Sequence, residues 1–215
     1  MNKWRQYRQI ERGEFFLIGG DCSQGGKDFN ACQFMSKTKL DIPLVYHSRG
    51  VAAQMTREIF PIIEKIFDIT EIKPMVALET ANGGASEMDT LNVLNRLSKY
   101  SLFKMPSIGK TESPESKILG YVTSGGTRPI LVGDGKNSID GKIVRIYDKP
   151  TIKEMYAFII NKQGKPEAEI GANDDLVMSF NIVWQLYQIC KIPDTKLQPA
   201  MRIMSPNLDP YSTYV

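Results

Sequence analysis

Between Phe15 and Cys22 the chain reads Phe-Phe-Leu-Ile-Gly-Gly-Asp-Cys, a continuous apolar run whose length predicts a buried strand. The strand, taken as residues 14–22, closes on Asp21, and a period of two puts Asp21 on the face of Leu17 and Gly19. A carboxylate at the mouth of a buried strand is costly to desolvate unless it is paired, hydrogen-bonded or bound to a cation. Gly19 and Gly20 remove side-chain bulk beside it, so another backbone or a ligand can come close. Gln24-Gly25-Gly26-Lys27 is a turn signal, and strands follow at 28–37 and 42–48 across Lys39-Leu40-Asp41. Connections this short predict an antiparallel meander.

From Val51 to Phe67 the residues Met55, Ile59, Ile62, Ile63, Ile66 and Phe67 recur at helical spacing, with Pro61 placed to bend the helix. Pro74–Glu79 is a short apolar strand that again ends on an acid, and Asn82-Gly83-Gly84 breaks it. Ser86-Glu-Met-Asp89 has the form of a capping box, opening a helix to about Lys99, and a strand follows at 101–104. The Ser-, Gly-, Lys- and Thr-rich stretch 107–127 is expected to be mobile and exposed. A weak helix over 128–140, interrupted by Gly133 and Gly135, precedes a short strand at 143–147.

Thr151-x-x-Glu154 predicts the cap of a helix carrying Ile152, Met155, Tyr156 and Ile159 on its apolar side. The turn Gln163-Gly164-Lys165 then leads to a strand at 166–170. The last helix begins at Asp174, and Leu176, Val177, Phe180, Val183, Trp184 and Tyr187 form a wide stripe to dock on the sheet. Residues 1–13, polar and basic, are expected to be a lead-in outside the core, 14–192 the folded domain, and 193–215 a loosely ordered tail with four prolines.

Composition narrows the chemistry. The excess of 27 Lys and Arg over 24 Asp and Glu is compatible with nucleic acid without demanding it. Cys22, Cys32 and Cys190 are widely spaced and form no Cys-x-x-Cys pair, which argues against a disulfide framework or a structural zinc site. His47 is the sole histidine and lies in an apolar-flanked segment, so a structural role is expected and a serine–histidine triad is disfavoured. No apolar run approaches the roughly 20 residues of a membrane span, and Met-Asn-Lys-Trp-Arg lacks the apolar core of a signal peptide.

Three acidic positions share one kind of address. Asp21 ends the first strand, Glu79 ends the fourth, and Asp174-Asp175 open the final helix after Gly171-Ala172-Asn173. If the first and fourth strands are adjacent and parallel, Asp21 and Glu79 lie side by side at the carboxyl edge of the sheet, where open α/β sheets place ligands. Gathered carboxylates repel, and hard oxygen donors without histidine point to Mg²⁺ or Mn²⁺. Two such ions roughly 4 Å apart hydrolyse phosphodiesters. Each acid also has a local explanation: Asp174 as a helix N-terminus, Glu79 as the start of a turn, and Asp21 as a cap on the glycine turn.

The ordered set resembles the ribonuclease H-like nucleases, and more finely the nuclease domain of the tailed-bacteriophage terminase large subunit. The matching segments are Trp4-Arg-Gln-Tyr7, Gly19-Gly20-Asp21 with Gly26-Lys27-Asp28, Leu78-Glu79 with Asn82-Gly83-Gly84, Lys117-Ile-Leu-Gly120 with Thr127-Arg128-Pro129, and Asn173-Asp174-Asp175-Leu-Val-Met178. The resemblance implies an α/β domain with a mixed five-stranded sheet flanked by helices. It implies a two-metal (Mg²⁺ or Mn²⁺) endonuclease cutting double-stranded DNA during viral genome packaging, without its ATPase motor. Asp21, Glu79, Asp175 and Asp174 would hold the ions, Asp28 and Asn173 would support them, and Lys27, Lys110, Lys117 and Arg128 would meet DNA phosphates. The small subunit and portal would be partners, in the host cytoplasm, with no membrane. Asn173 stands where the family usually has histidine; it can donate a hydrogen bond but cannot titrate. Gly20–Lys27 superficially resembles a phosphate-binding loop, but Asp21 and Asp28 occupy the wrong positions. A Holliday-junction resolvase of the same fold and a non-catalytic DNA-binding or portal-docking module are the competing assignments.

Overall fold

The computed structural model describes residues 2–105 and 118–193. Lys110, Lys117 and the tail from residue 194 onward therefore lie outside the described residues, as do part of the 107–127 stretch and the side chain of Lys27.

The meander forms in the expected order, from β2 (Phe16–Asp21), β3 (Gln24–Ser36) and β4 (Asp41–Val51), each antiparallel to the next, but the expected turn at 24–27 lies inside β3, with a register irregularity against β4 before Phe29. Strand β5 (Met75–Leu78) pairs with β2 in parallel, and β6 (Ser101–Leu102) pairs with β5 in parallel. These are the five expected strands. Two more short strands, β1 (Trp4–Gln6) and β7 (Arg145–Ile146), share the outer edge of β4, so the mixed sheet has seven. The strand expected at 143–147 is β7, whereas β1 was not expected: three residues carry too little alternation to announce a strand, and the unpaired edge of β4 recruits them.

The lead-in expectation is corrected by the same edge. Trp4 packs its ring 4.9 Å from Tyr46 and 5.7 Å from Phe34. Arg8 bridges two nearly inaccessible acids, with Nη2 2.7 Å from Glu14 Oε2 and Nε 2.6 Å from Asp41 Oδ2. Arg5 Nη2 donates to the buried Asp148 at 3.0 Å. Basic residues that look solvated in sequence are here the counter-charges of buried carboxylates.

Helix α1 (Ala52–Thr70) accommodates Pro61, and it packs with α2 (Gly84–Leu94) on Phe16, Ile18, Phe34 and Val76. The opposite face, carrying Leu17, Ala31, Met35, Val45 and Ala77, is covered by α5 (Asp175–Ile189). Outside α5 lie α3 (Thr127–Asp140) and α4 (Lys149–Tyr156). Every residue of α5 from Leu176 to Leu186 is buried, so it is an interior helix rather than a one-sided one.

Two helix starts differ from expectation. Helix α2 begins at Gly84, ahead of the Ser86 capping box, and ends well before Lys99. Helix α4 is capped by Asp148, whose Oδ2 accepts from Thr151 N at 2.9 Å and Thr151 Oγ1 at 2.7 Å, with Pro150 in its first turn. It stops at Tyr156, and Ile159 belongs to a hairpin of β8 (Phe158–Ile160) and β9 (Pro166–Ala168). Glu154 is thereby released from capping duty. No helix among the described residues is long and apolar enough to cross a membrane.

Candidate metal centre

Register brings the acids together. Gly20 lies opposite Leu78 in the parallel β2–β5 pair, so the next residues, Asp21 and Glu79, stand side by side, and Glu79 N donates to Gly20 O at 2.8 Å. Asp21 is opposite Ala31 on β3, and Ala31 is opposite His47 on β4. One row thus crosses four strands in the order Glu79, Asp21, Ala31, His47. The period of two turns this row toward α5, because Leu17, Ala31, Val45 and Ala77 all pack there.

Helix α5 reaches the row because Gly19 has no side chain. A Cβ at Gly19 would stand 2.6 Å from Val183 N and 2.9 Å from Ser179 O, inside the backbone of α5. Any other residue would hold the helix away, and with it the first turn that carries Asp175. A second close approach fixes Glu79. A Cβ on Gly84 would lie 1.7 Å from Glu79 O, so the turn after β5 closes directly on the strand end.

Asp21 and Glu79 are each 8% exposed. Burial, a side-chain hydrogen bond with Glu79 and the charges of Glu79, Asp175 and Asp174 hold the Asp21 carboxyl well above its usual range. Asp175 is pushed up to about 7, first by burial, then by Asp174 and Asp28. Glu154, anchored under α5 by Leu176 N at 2.9 Å, is also raised to about 7 by burial, with Asp175 and Asp174 adding repulsion. Asp174 has turned aside; its Oδ2 is 2.6 Å from Arg128 Nη2. The cluster is thus short of positive charge.

At the other end of the row, the His47 ring is stacked on Phe29 with centroids 4.4 Å apart, and the Arg49 guanidinium lies over the Phe29 ring, 4.9 Å from its centroid. Burial and the nearby Arg5 guanidinium lower the His47 imidazole to about 4. Ligand atoms of His47, Glu154 and Asp175 lie within 4.8 Å of one another.

Of the expected site residues, Asp21, Glu79 and Asp175 converge, Asp174 pairs with Arg128, Asp28 bears on Asp175, and Asn173 is exposed just before α5. Sequence reasoning did not place His47 and Glu154 beside Asp175. The even spacing of His47 from Val45 was a legible signal for the α5 face; Glu154 had none, because its i,i+3 relation to Thr151 suggested a cap.

No protein-family model matches the chain, and no curated protein matches it in sequence. Its fold is that of terminase large-subunit nuclease domains, ribonuclease H-like in class. The large terminase nuclease of thermophilic phage G20c superposes with a TM-score of 0.59 at 14% identity, over 87% of this chain and 90% of that one. The nuclease domain of the Thermus phage P74-26 large terminase gives 0.57 at 15% identity, over 87% of each chain. The human cytomegalovirus terminase nuclease domain, solved manganese-soaked with an inhibitor, gives 0.52 at 9% identity, over 85% of this chain and 89% of that one.

Proposed function

We propose that this chain is a divalent-metal-dependent endonuclease that cuts double-stranded DNA during viral genome packaging. Asp21, Glu79 and Asp175 are its principal cation ligands, with Asp174 beside them. One observation carries the proposal: two adjacent parallel strands end, in register, on buried carboxylates lying side by side near the first turn of a third element, whose Asp175 acts electrostatically on Asp21. The residues fit hard cations, since Asp21, Glu79 and Asp175 offer only oxygen and Arg128 is engaged by Asp174. The G20c nuclease, similar in fold, has been solved with bound magnesium.

Two Mg²⁺ or Mn²⁺ ions, when bound, supply water activation and stabilisation of the leaving oxygen of a phosphodiester. The chain's own part is positional. Asp21 and Glu79 sit on strand ends whose backbones are hydrogen-bonded, and Asp175 is held by a helix packed directly on β2. Arg128 is ion-paired to Asp174 beside the acids, and DNA phosphate would draw it away from that carboxylate. Lys27, Lys110 and Lys117 remain proposed phosphate contacts, so binding is expected to be salt-sensitive and indifferent to sequence. The terminase small subunit and portal are the proposed partners, with action in the host cytoplasm.

Supercoiled plasmid incubated with Mg²⁺ or Mn²⁺ tests this. Asp21→Asn and Glu79→Ala are expected to slow nicking about a hundredfold or more, the scale of lost electrostatic stabilisation at a charged transition state. If both variants, folded by circular dichroism, nick at the parental rate, the assignment fails.

A further inference from the structure

We propose that His47, Glu154 and Asp175 form a second cation centre next to the Asp21–Glu79 pair, sharing Asp175 with it and preferring Mn²⁺, Co²⁺ or Zn²⁺ to Mg²⁺. The proposal deepens the nuclease assignment and rests on it only for the ion's catalytic consequence.

Three elements far apart in the chain deliver the three ligands. His47 comes from β4, Glu154 from α4 and Asp175 from the start of α5. Their ligand atoms lie within 4.8 Å of one another. Cation bonds of about 2.1 Å put ligand atoms on opposite sides of an ion about 4.2 Å apart, so a small side-chain rotation closes the set. The imidazole is pinned between its strand and the ring of Phe29. Its Nε2 is shielded from solvent and has no hydrogen-bond partner among the described residues, which is costly for a polar atom unless something binds there. Glu154 is oriented by Leu176 N, as ligating carboxylates are by their supporting hydrogen bonds.

The sheet explains why this centre adjoins the first. Asp21 and His47 stand two strands apart in one row, about 10 Å between backbones, with only the methyl group of Ala31 between them. Asp175 hangs over that gap. It acts electrostatically on Asp21 and lies within ligand reach of His47 and Glu154. A shared carboxylate between two sites is the arrangement that sets paired ions about 4 Å apart. An imidazole nitrogen in one site only makes the two unequal, since nitrogen suits the later divalent metals and is a poor ligand for Mg²⁺.

His47 is the only histidine in the chain, so an imidazole signal on bound metal in untagged protein has one source. Pulsed electron paramagnetic resonance of Mn²⁺ titrated into the wild-type chain is expected to show nitrogen-14 coupling of the imidazole type. Mn²⁺ binding by calorimetry should show two ions. His47→Gln should remove the coupling and weaken one ion by at least the about 10–100-fold that losing a ligand's supporting partner costs. Glu154→Gln should weaken that same ion. Wild-type protein that binds Mn²⁺ without imidazole coupling overturns the proposal, and that measurement needs no variant to fold. A wild type that shows the coupling but never nicks plasmid sustains this centre while removing the nuclease assignment. Nicking without coupling does the reverse.

Discussion

Replacing Gly19 by Ala tests whether the approach of α5 to β2 builds the site. The new methyl carbon would stand 2.6 Å from Val183 N, 2.9 Å from Ser179 O and 2.9 Å from Val183 Cβ. Two of these atoms are helix backbone, so no rotamer change relieves the contact, and α5 must retreat by about half an ångström or more to restore ordinary packing. Overpacking of this kind costs about 1–3 kcal/mol. The retreat carries Asp175 away from Asp21, and a misplacement of about 1 Å at a catalytic centre costs on the order of a hundredfold in rate. Gly133 is the control. It too becomes alanine inside a helix, but a Cβ there meets nothing within 4 Å, so Gly133→Ala should be neutral or stabilising by up to about 1 kcal/mol. Urea unfolding followed by tryptophan fluorescence gives the stabilities, and Mn²⁺-dependent nicking gives the rates. If Gly19→Ala matches the parent in both, the close approach does not build the site and the explanation of its geometry is wrong.

The metal-free protein should lose stability between pH 5 and pH 8. Asp175 and Glu154, raised to about 7 when folded, contribute most below their unfolded values near 4, and that contribution is lost as pH rises through about 7. Net of His47, which is lowered to about 4 and so adds stability as pH rises toward about 6.5, the loss is on the order of 3 kcal/mol, or about 6–12 °C in melting temperature; saturating Mn²⁺ should abolish the fall, and a flat profile without metal would refute the crowding of these acids. Glu14 and Asp148, held below the usual carboxylate range by Arg8 and Arg5, have the opposite sign and lose their contribution only at more acidic pH, outside this window. Arg8→Ala strands two buried acids, Glu14 at 2% and Asp41 at 3% exposure, and should cost about 3–5 kcal/mol. A thermal melt showing a loss under about 1 kcal/mol would mean the network is compensated elsewhere.

The meander, the fourth strand and the acids at the ends of β2 and β5 were all legible in the sequence, because each is a local pattern; that β2 and β5 pair in parallel was only a condition there. An apolar run, a glycine pair and a terminal carboxylate occupy neighbouring positions, and alternation alone decides which face Asp21 and Glu79 present. Glycine at position 19 could be read as permission for something to come close; that the visitor is the backbone of α5 could not. Pairing register, helix approach and the edge of β4 are properties of segments distant in the chain, and only the folded packing chooses among them. That packing brought Arg5 and Arg8 inside as counter-charges. It also ended α4 early and set Glu154 and His47 within reach of Asp175. Periodicity reports the face a residue takes, whereas a site is a meeting of faces, and the burial of apolar surface on both sides of the sheet is what fixes the meeting place.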